Sequence, residues 1–352
     1  MSSVVAHSET MAAGMTKKHH HYLPKAYLKA FCDAKGKVCL YRKDNPGQLI
    51  HQRPGKVCFH RYYYSQPLSE GGKDHDRLED LFSKLETTWP CIVKRLEQRE
   101  NVNDCLGDIF DFIALQRARV PAARDASEAI LSESVKASLR RLGAAGRLPP
   151  KPEGYADILE HVDVAINPHQ SIHAIVHMFT GVRELLQQIG IGALHNRTNI
   201  PFLTSDNPVV WFDPSVAEDD MRPYVIRKGG PIVLLFPVTP KLMLYGHSSV
   251  REQFAQNGFS HGELSECSKV EAMNRQICRF AYEAILSQGL VDEPLIRRYA
   301  EVSPVVQTQR ITYKDGEFLF SQYVWERRTR KPKWVDQGSR PDTEPGRSES
   351  CL

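Results

Sequence analysis

His19-His20-His21-Tyr22-Leu23-Pro24-Lys25-Ala26-Tyr27-Leu28-Lys29-Ala30-Phe31 is the stretch where a small, polar N-terminus gives way to a sequence built for burial. Leu23, Tyr27, Leu28 and Phe31 recur at helical spacing, and Pro24 stands where a first helical turn tolerates proline. The expectation is a helix over 25–31 with three imidazoles as its lead-in. The helix dipole disfavours protonation there, which suits an imidazole to work as base or ligand. Packing on the core or capping explains the same placement.

Upstream, residues 1–16 are small and polar and are expected to be disordered. Downstream, Val38, Leu40 and Arg42 alternate, and Asp44-Asn45-Pro46-Gly47 turns the chain back through 48–52, a hairpin pattern. Helices are expected over 75–99 and 103–119, then from Pro121 to about 142, because proline ends or kinks a helix. An exposed Gly/Pro-rich loop over 143–154 precedes helices at 155–166 and 168–189. A β-rich block over 192–246 holds two strand pairs, 200–203 with 209–212 and 232–236 with 241–245. A long helix over 263–287, a short one over 294–300 and a hairpin turning at Asp315-Gly316 close the ordered part. The chain therefore reads as α+β, a mainly helical body with a smaller antiparallel sheet. Residues 17–326 form one domain in this reading, and 327–352 form a basic, disordered tail.

Composition bounds the function. At 41% hydrophobic and 25% charged, the 352 residues fit an ordinary soluble globular chain. The longest apolar run, 231–238, is far too short to cross a bilayer, so no membrane role is expected. No signal-peptide pattern is present, which makes the cytoplasm the expected location. The eight cysteines include no Cys-x-x-Cys pair and read as reduced, mostly buried small hydrophobes. Seven Lys/Arg against four Asp/Glu after Glu326 place +3 of the +4 net charge in the tail. The nearly neutral body weighs weakly against nucleic acid, which selects concentrated basic surfaces.

Several motifs carry candidate chemistry. His169, His173 and His177 recur every four residues, but opposite the apolar stripe of their helix, and Ala174 stands where a zinc-protease motif needs Glu. A solvated polar face accounts for them. Thr204-Ser205-Asp206-Asn207-Pro208-Val209 lies between two apolar runs. Its Ser-Asp-Asn lacks the companion motifs of penicillin-recognising enzymes. It is either an Asx-type turn or a carboxylate and amide held rigidly at a strand end. On the 103–119 helix, Gln116 and Arg119 fall within about 40° of the core-facing Phe112. Glu79 and Glu86 border the apolar stripe of the preceding helix, and Asn274 borders that of a late one. Charges brought to a core face need partners, and Arg119 with Glu86 or Glu79 is the expected pair.

These segments resemble one family in order and spacing. His20-His21-Tyr22-Leu23-Pro24-x-x-Tyr27-Leu28-x-x-Phe31 is similar to the opening of domain-of-unknown-function family 4238. So are the Tyr64 region, the Leu78-Glu79 to Leu85-Glu86 helix and Phe112-Ile113-Ala114-Leu115-Gln116-x-x-Arg119-x-Pro121. The Phe202–Val209 block and Phe236-Pro237-Val238-Thr239-Pro240 complete the likeness, over about 18–287. Val120 departs from the Thr or Ser expected between the Arg and the Pro. The resemblance implies no reaction.

The resulting expectation is one polar cluster. His20, His21, Glu86, Arg119 and Asp206 are its candidate catalytic residues, and Gln116, Asn207 and Asn274 its candidate ligand-binding residues. As a hydrolase or nuclease-like phosphodiesterase, it would use Asp206 and Glu86 as metal ligands or base, a histidine as acid/base and Arg119 as anion stabiliser. A divalent metal is the cofactor that this reading admits. The same residues equally suit a binding or regulatory module for an anionic small molecule or nucleotide, or a purely structural polar network.

Overall fold

The structure is a computed structural model that describes residues 18–150, 154, 158–291, 293–313, 316–329, 331–332 and 334. The expected N-terminal disorder over 1–16, Asp315 of the last turn, most of 151–157 and the end of the tail lie outside the described residues.

Two sheets meet at the Thr204–Val209 block. One has five strands in the order Ser260–Leu264, Gly190–Asn196, Leu242–His247, Val233–Thr239, Val210–Phe212. Its first pair is parallel and the others antiparallel. The second sheet is antiparallel, in the order Asn45–Gln52, Val38–Arg42, Ala284–Ser287, Thr204–Ser205. The expected pairing of 200–203 with 209–212 does not occur. Thr204–Ser205 joins one sheet and Val210–Phe212 the other, so Asp206-Asn207-Pro208 is where the chain crosses between them.

The expected mainly helical body is corrected to a mixed one, with 39% of the described residues in helix and 26% in strand. Several strands went unread, among them the short ones Phe59–Arg61, Gln66–Pro67 and Lys73–Asp74. Gly190–Asn196, Ser260–Leu264 and Ala284–Ser287 pair with partners far away in sequence, and His19–His21 pairs with Phe59–Arg61. The expected 263–287 helix is only Cys267–Phe280, with a strand on each side. The 75–99 helix is two, Arg77–Thr87 and Trp89–Glu97, broken at Thr88 beside Pro90. The opening histidines are a strand, and Pro24, at φ −60° and ψ 140°, caps helix Lys25–Lys29.

Helix Leu106–Ala118 lies deep in the molecule, buried from Phe112 through Ala118. A helix covered all round needs apolar residues or paired charges on every side. Trp89 stacks on Phe112 with ring centroids 3.8 Å apart, and Phe236 closes against both, so this helix anchors the core beneath the five-stranded sheet. Helix Pro121–Ala144 follows directly and packs against helix Pro168–Leu186 and the hairpin Ser303–Tyr313/Gly316–Glu326. The cysteines are less buried than expected: Cys39, Cys58 and Cys278 are, but Cys91 and Cys267 are exposed. No described helix is long and apolar enough to cross a membrane.

Candidate functional site

The expected site residues fall into separate groups. His20 is fully buried, with its ring stacked on Tyr64 and its Nδ1 accepting from the Tyr64 amide at 2.8 Å. The Tyr64 hydroxyl donates to the Arg119 carbonyl at 3.3 Å. Arg119, 1% exposed, donates through Nη1 to Glu86 Oε1 at 2.6 Å, which is the ion pair expected from helical spacing. Its guanidinium also lies over the Phe82 ring. Gln116 is buried one turn earlier, and neither of its amide atoms has a hydrogen-bond partner among the described residues. An anion-binding role for Arg119 would have to work from an enclosed guanidinium whose Nη1 is paired with Glu86 and whose Nε and Nη2 have no hydrogen-bond partner among the described residues.

His21 sits beside His20 on the short strand, close to Phe59. Burial, then the nearby Lys25 ammonium, lowers its pKa to about 4. The helix dipole is not needed to keep it neutral; desolvation of the imidazolium does that.

Asp206 and Asn207 find their partners elsewhere. Asp206 is fully buried; Oδ1 accepts from the Tyr282 amide at 2.8 Å and Oδ2 from the Glu283 amide at 2.7 Å. Burial raises its pKa and lowers that of the neighbouring Lys43 to about 7. Asn207 donates to the Tyr224 hydroxyl at 2.6 Å and to the Phe280 carbonyl at 2.8 Å. Asn274 accepts from the Leu203 amide and donates to the Pro201 carbonyl, both at 2.9 Å, tying helix Cys267–Phe280 to the crossing loop. Of the clefts described below, none is lined by His20, His21, Glu86, Gln116, Arg119, Asp206 or Asn207. Asn274 lines a separate groove with Leu203, Glu271 and Leu295. His173 and His177 are exposed, as a solvated face requires.

A different polar chain starts at Asp206 and reaches a surface cleft. The residue whose amide it holds, Tyr282, donates its hydroxyl to Asp125 Oδ2 at 2.9 Å. Lys331 Nζ lies 2.6 Å from Asp125 Oδ1 and 2.5 Å from Glu128 Oε2. Ser171 donates to Glu128 Oε1 at 2.7 Å and accepts from Arg124 Nε at 2.7 Å. On the other side of Tyr282, Arg328 Nη1 meets Glu283 Oε1 at 2.8 Å, with the guanidinium carbon 5.4 Å from the Tyr282 ring centroid. Arg328 and Lys331, at the start of the tail expected to be disordered, thus lie against the body.

Tyr282 and Arg328 form a partition between two clefts. One, of about 360 Å³, is lined by Asp125, Glu128, Glu133 and Asp163 among others. The other, of about 210 Å³, is lined by Tyr22, Cys58, His60 and Glu283 among others. Burial, then the Asp206 carboxylate, raises Glu283 to about 7 although its side chain keeps 29% exposure. The His60 ring lies tilted against Tyr22 and Tyr63, with centroids 5.4 and 4.9 Å away. Cys58 adopts φ 55°, a left-handed conformation that costs a non-glycine residue about 1 kcal/mol or more. Burial and the Asp206 carboxylate push its thiol well up, the opposite of what a cysteine nucleophile needs.

Sequence reasoning missed Arg124, Asp125, Glu128, Tyr282 and Glu283. The i, i+3 and i, i+4 spacing of Asp125, Glu128 and Arg124 on a helix was a readable signal. Tyr282 and Glu283 were hidden inside the overlong helix. Among the described residues, no group of three or more His, Cys, Asp or Glu is placed to hold a metal ion.

Fold and site together define an α+β protein with a carboxylate-lined cleft on helix Pro121–Ala144. Residues 19–289 match the family model described as protein of unknown function (DUF4238), and the chain belongs to that family. No curated protein and no solved structure matches it.

Proposed function

We propose that the protein is a recognition module whose two adjoining clefts take cationic groups, with Asp125 and Glu128 gripping an ammonium in one and Glu283 a guanidinium in the other. One observation carries this reading: Asp125 and Glu128 close on a single ammonium nitrogen, at 2.6 and 2.5 Å. Charge-assisted contacts of this kind are the strong ones, and a partly enclosed cleft screens them less than open surface does. Asp125, Glu128, Glu133 and Asp163 line the larger cleft, whereas its described basic lining residues, Arg328 and Lys331, come from beyond the family-matched segment. Titration calorimetry with spermidine and with arginine methyl ester tests the reading. Asp125→Asn/Glu128→Gln should weaken binding at least tenfold, and added salt should weaken what remains. Equal binding by this variant would remove the cleft from consideration.

A hydrolase is the second reading, and Glu283 is the observation that favours it. A carboxyl raised to about 7 at the wall of a cleft is poised to give or take a proton near neutral pH. Screening phosphodiester, ester and amide substrates against wild type and Glu283→Gln tests it. Turnover that Glu283→Gln leaves unchanged would exclude Glu283 as the acid/base.

A further inference from the structure

The tail residues in the cleft lie three apart in sequence and occupy two distinct positions. Arg328 is held by Glu283 and covers the Tyr282 ring, and Lys331 is held by Asp125 and Glu128 on the other side of that ring. Tyr282 is fixed between them, its amide on Asp206 and its hydroxyl on Asp125. Each cation position thus has its own carboxylate, and the spacer between them is rigid. We infer that residues 327–329 and 331–332 belong to a strap that occupies the carboxylates of the two clefts as an internal copy of their ligand, and that the ligand is a basic peptide segment of the form Arg-x-x-Lys.

This rests on the cation-binding reading and adds to it both a ligand class and a means of regulation. The argument is charge complementarity in two independent places. The carboxylates of the two clefts stand on helix Pro121–Ala144 and at Glu283, inside the family-matched segment, whereas the two cations stand outside it. A peptide repeats that spacing; a compact amine such as spermidine can satisfy the charges but cannot lay a guanidinium on Tyr282. Because the strap is tethered, its effective concentration at the cleft is on the order of millimolar. A free peptide must therefore outcompete it, and the intact protein binds weakly until the strap is displaced.

The test is fluorescence anisotropy with a labelled peptide of residues 326–334, Glu-Arg-Arg-Thr-Arg-Lys-Pro-Lys-Trp, against the full chain. Three proteins are compared: wild type, Arg328→Ala/Lys331→Ala, and that double variant carrying Asp125→Asn/Glu128→Gln as well. The double variant should bind the peptide at least tenfold more tightly than wild type, and the quadruple variant should lose the gain. A peptide with alanine at the positions of Arg328 and Lys331 should bind none of them. Circular dichroism and thermal melts confirm that each variant is folded, and Lys331→Ala alone serves where the double variant is not. Equal peptide affinity in wild type and double variant would overturn the strap while leaving the cation cleft standing. Tighter spermidine binding without tighter peptide binding would overturn the peptide class. No binding of any cation by either protein would overturn the cleft reading itself.

Discussion

The Tyr282 hydroxyl donates to Asp125 Oδ2 at 2.9 Å, joining the strand-side segment that follows helix Cys267–Phe280 to the first turns of helix Pro121–Ala144. Tyr282 is 5% exposed and its amide is held by Asp206, so one residue links the sheet crossing to the cleft. Tyr282→Phe keeps the ring beneath Arg328 and removes only the hydroxyl. It should cost about 1 kcal/mol in urea unfolding, the usual net worth of such a bond, and weaken cation binding several-fold. A variant unchanged in both would mean that the hydroxyl does not orient Asp125.

Asp206 holds two backbone amides, one on each oxygen. Asn offers a single acceptor oxygen, leaving one buried N–H facing an NH2 group and Lys43 without its countercharge. Asp206→Asn should lower stability by about 2–4 kcal/mol. Denaturant midpoints decide this, and a wild-type midpoint would show that the carboxylate is not what holds the 282–283 backbone.

Acid should destabilise the fold through His21. Its pKa in the fold, about 4, lies below the ordinary 6.5, so the folded chain binds fewer protons between those values. The stabilisation is present above about pH 6.5 and is lost as pH falls through 4, up to about 3 kcal/mol for a shift of this size. His21→Gln should flatten the drop in unfolding midpoint between pH 7 and 4.5, whatever its effect at neutral pH.

Glu283 acts with the opposite sign. Its pKa is raised from 4.5 to about 7, so its contribution is full below about pH 4.5 and is lost as pH rises through 7. Relative to wild type, Glu283→Gln should gain stability between pH 5 and 8. A constant difference across that range would show that the carboxyl titrates normally.

The Arg119–Glu86 pair is lopsided, with Arg119 1% exposed and Glu86 23%. Glu86→Gln strands a buried cation and should cost about 3 kcal/mol, whereas Glu86→Gln combined with Arg119→Met should cost less than the sum of the two single changes. Additive losses in a double-mutant cycle would mean that the two side chains do not depend on each other.

Much of this was legible in local pattern. The 38–52 hairpin, the strand pair at 233–247, the break before Pro121 and the Arg119–Glu86 pair follow from alternation, turn residues and helical spacing. Asp206 and Asn207 stood out as either an Asx-type turn or a carboxylate and amide held at a strand end; the hydrogen bonds of their side chains go to distant residues, and the amides that Asp206 holds lie 76 and 77 residues away. The strands at 190–196, 260–264 and 284–287 were missed because their partners are distant, and a short apolar run has no period that separates strand from buried helix.

The sequence by itself determined most of the helices, the 38–52 and 233–247 strand pairs, several of the buried polar residues and the family to which the chain belongs, because periodicity, turn chemistry and motif order are local properties. Only the tertiary structure decided where the carboxylates meet. Asp125 and Glu128 on one helix, with Lys331 from beyond the last hairpin, line one cleft and Glu283 beside a strand lines the next, and the sheet crossing at Asp206 fixes Tyr282 as the wall between them. That is a matter of non-local backbone pairing. It also moved the opening histidines from a presumed helix lead-in to a strand against Phe59–Arg61, where burial keeps His21 neutral.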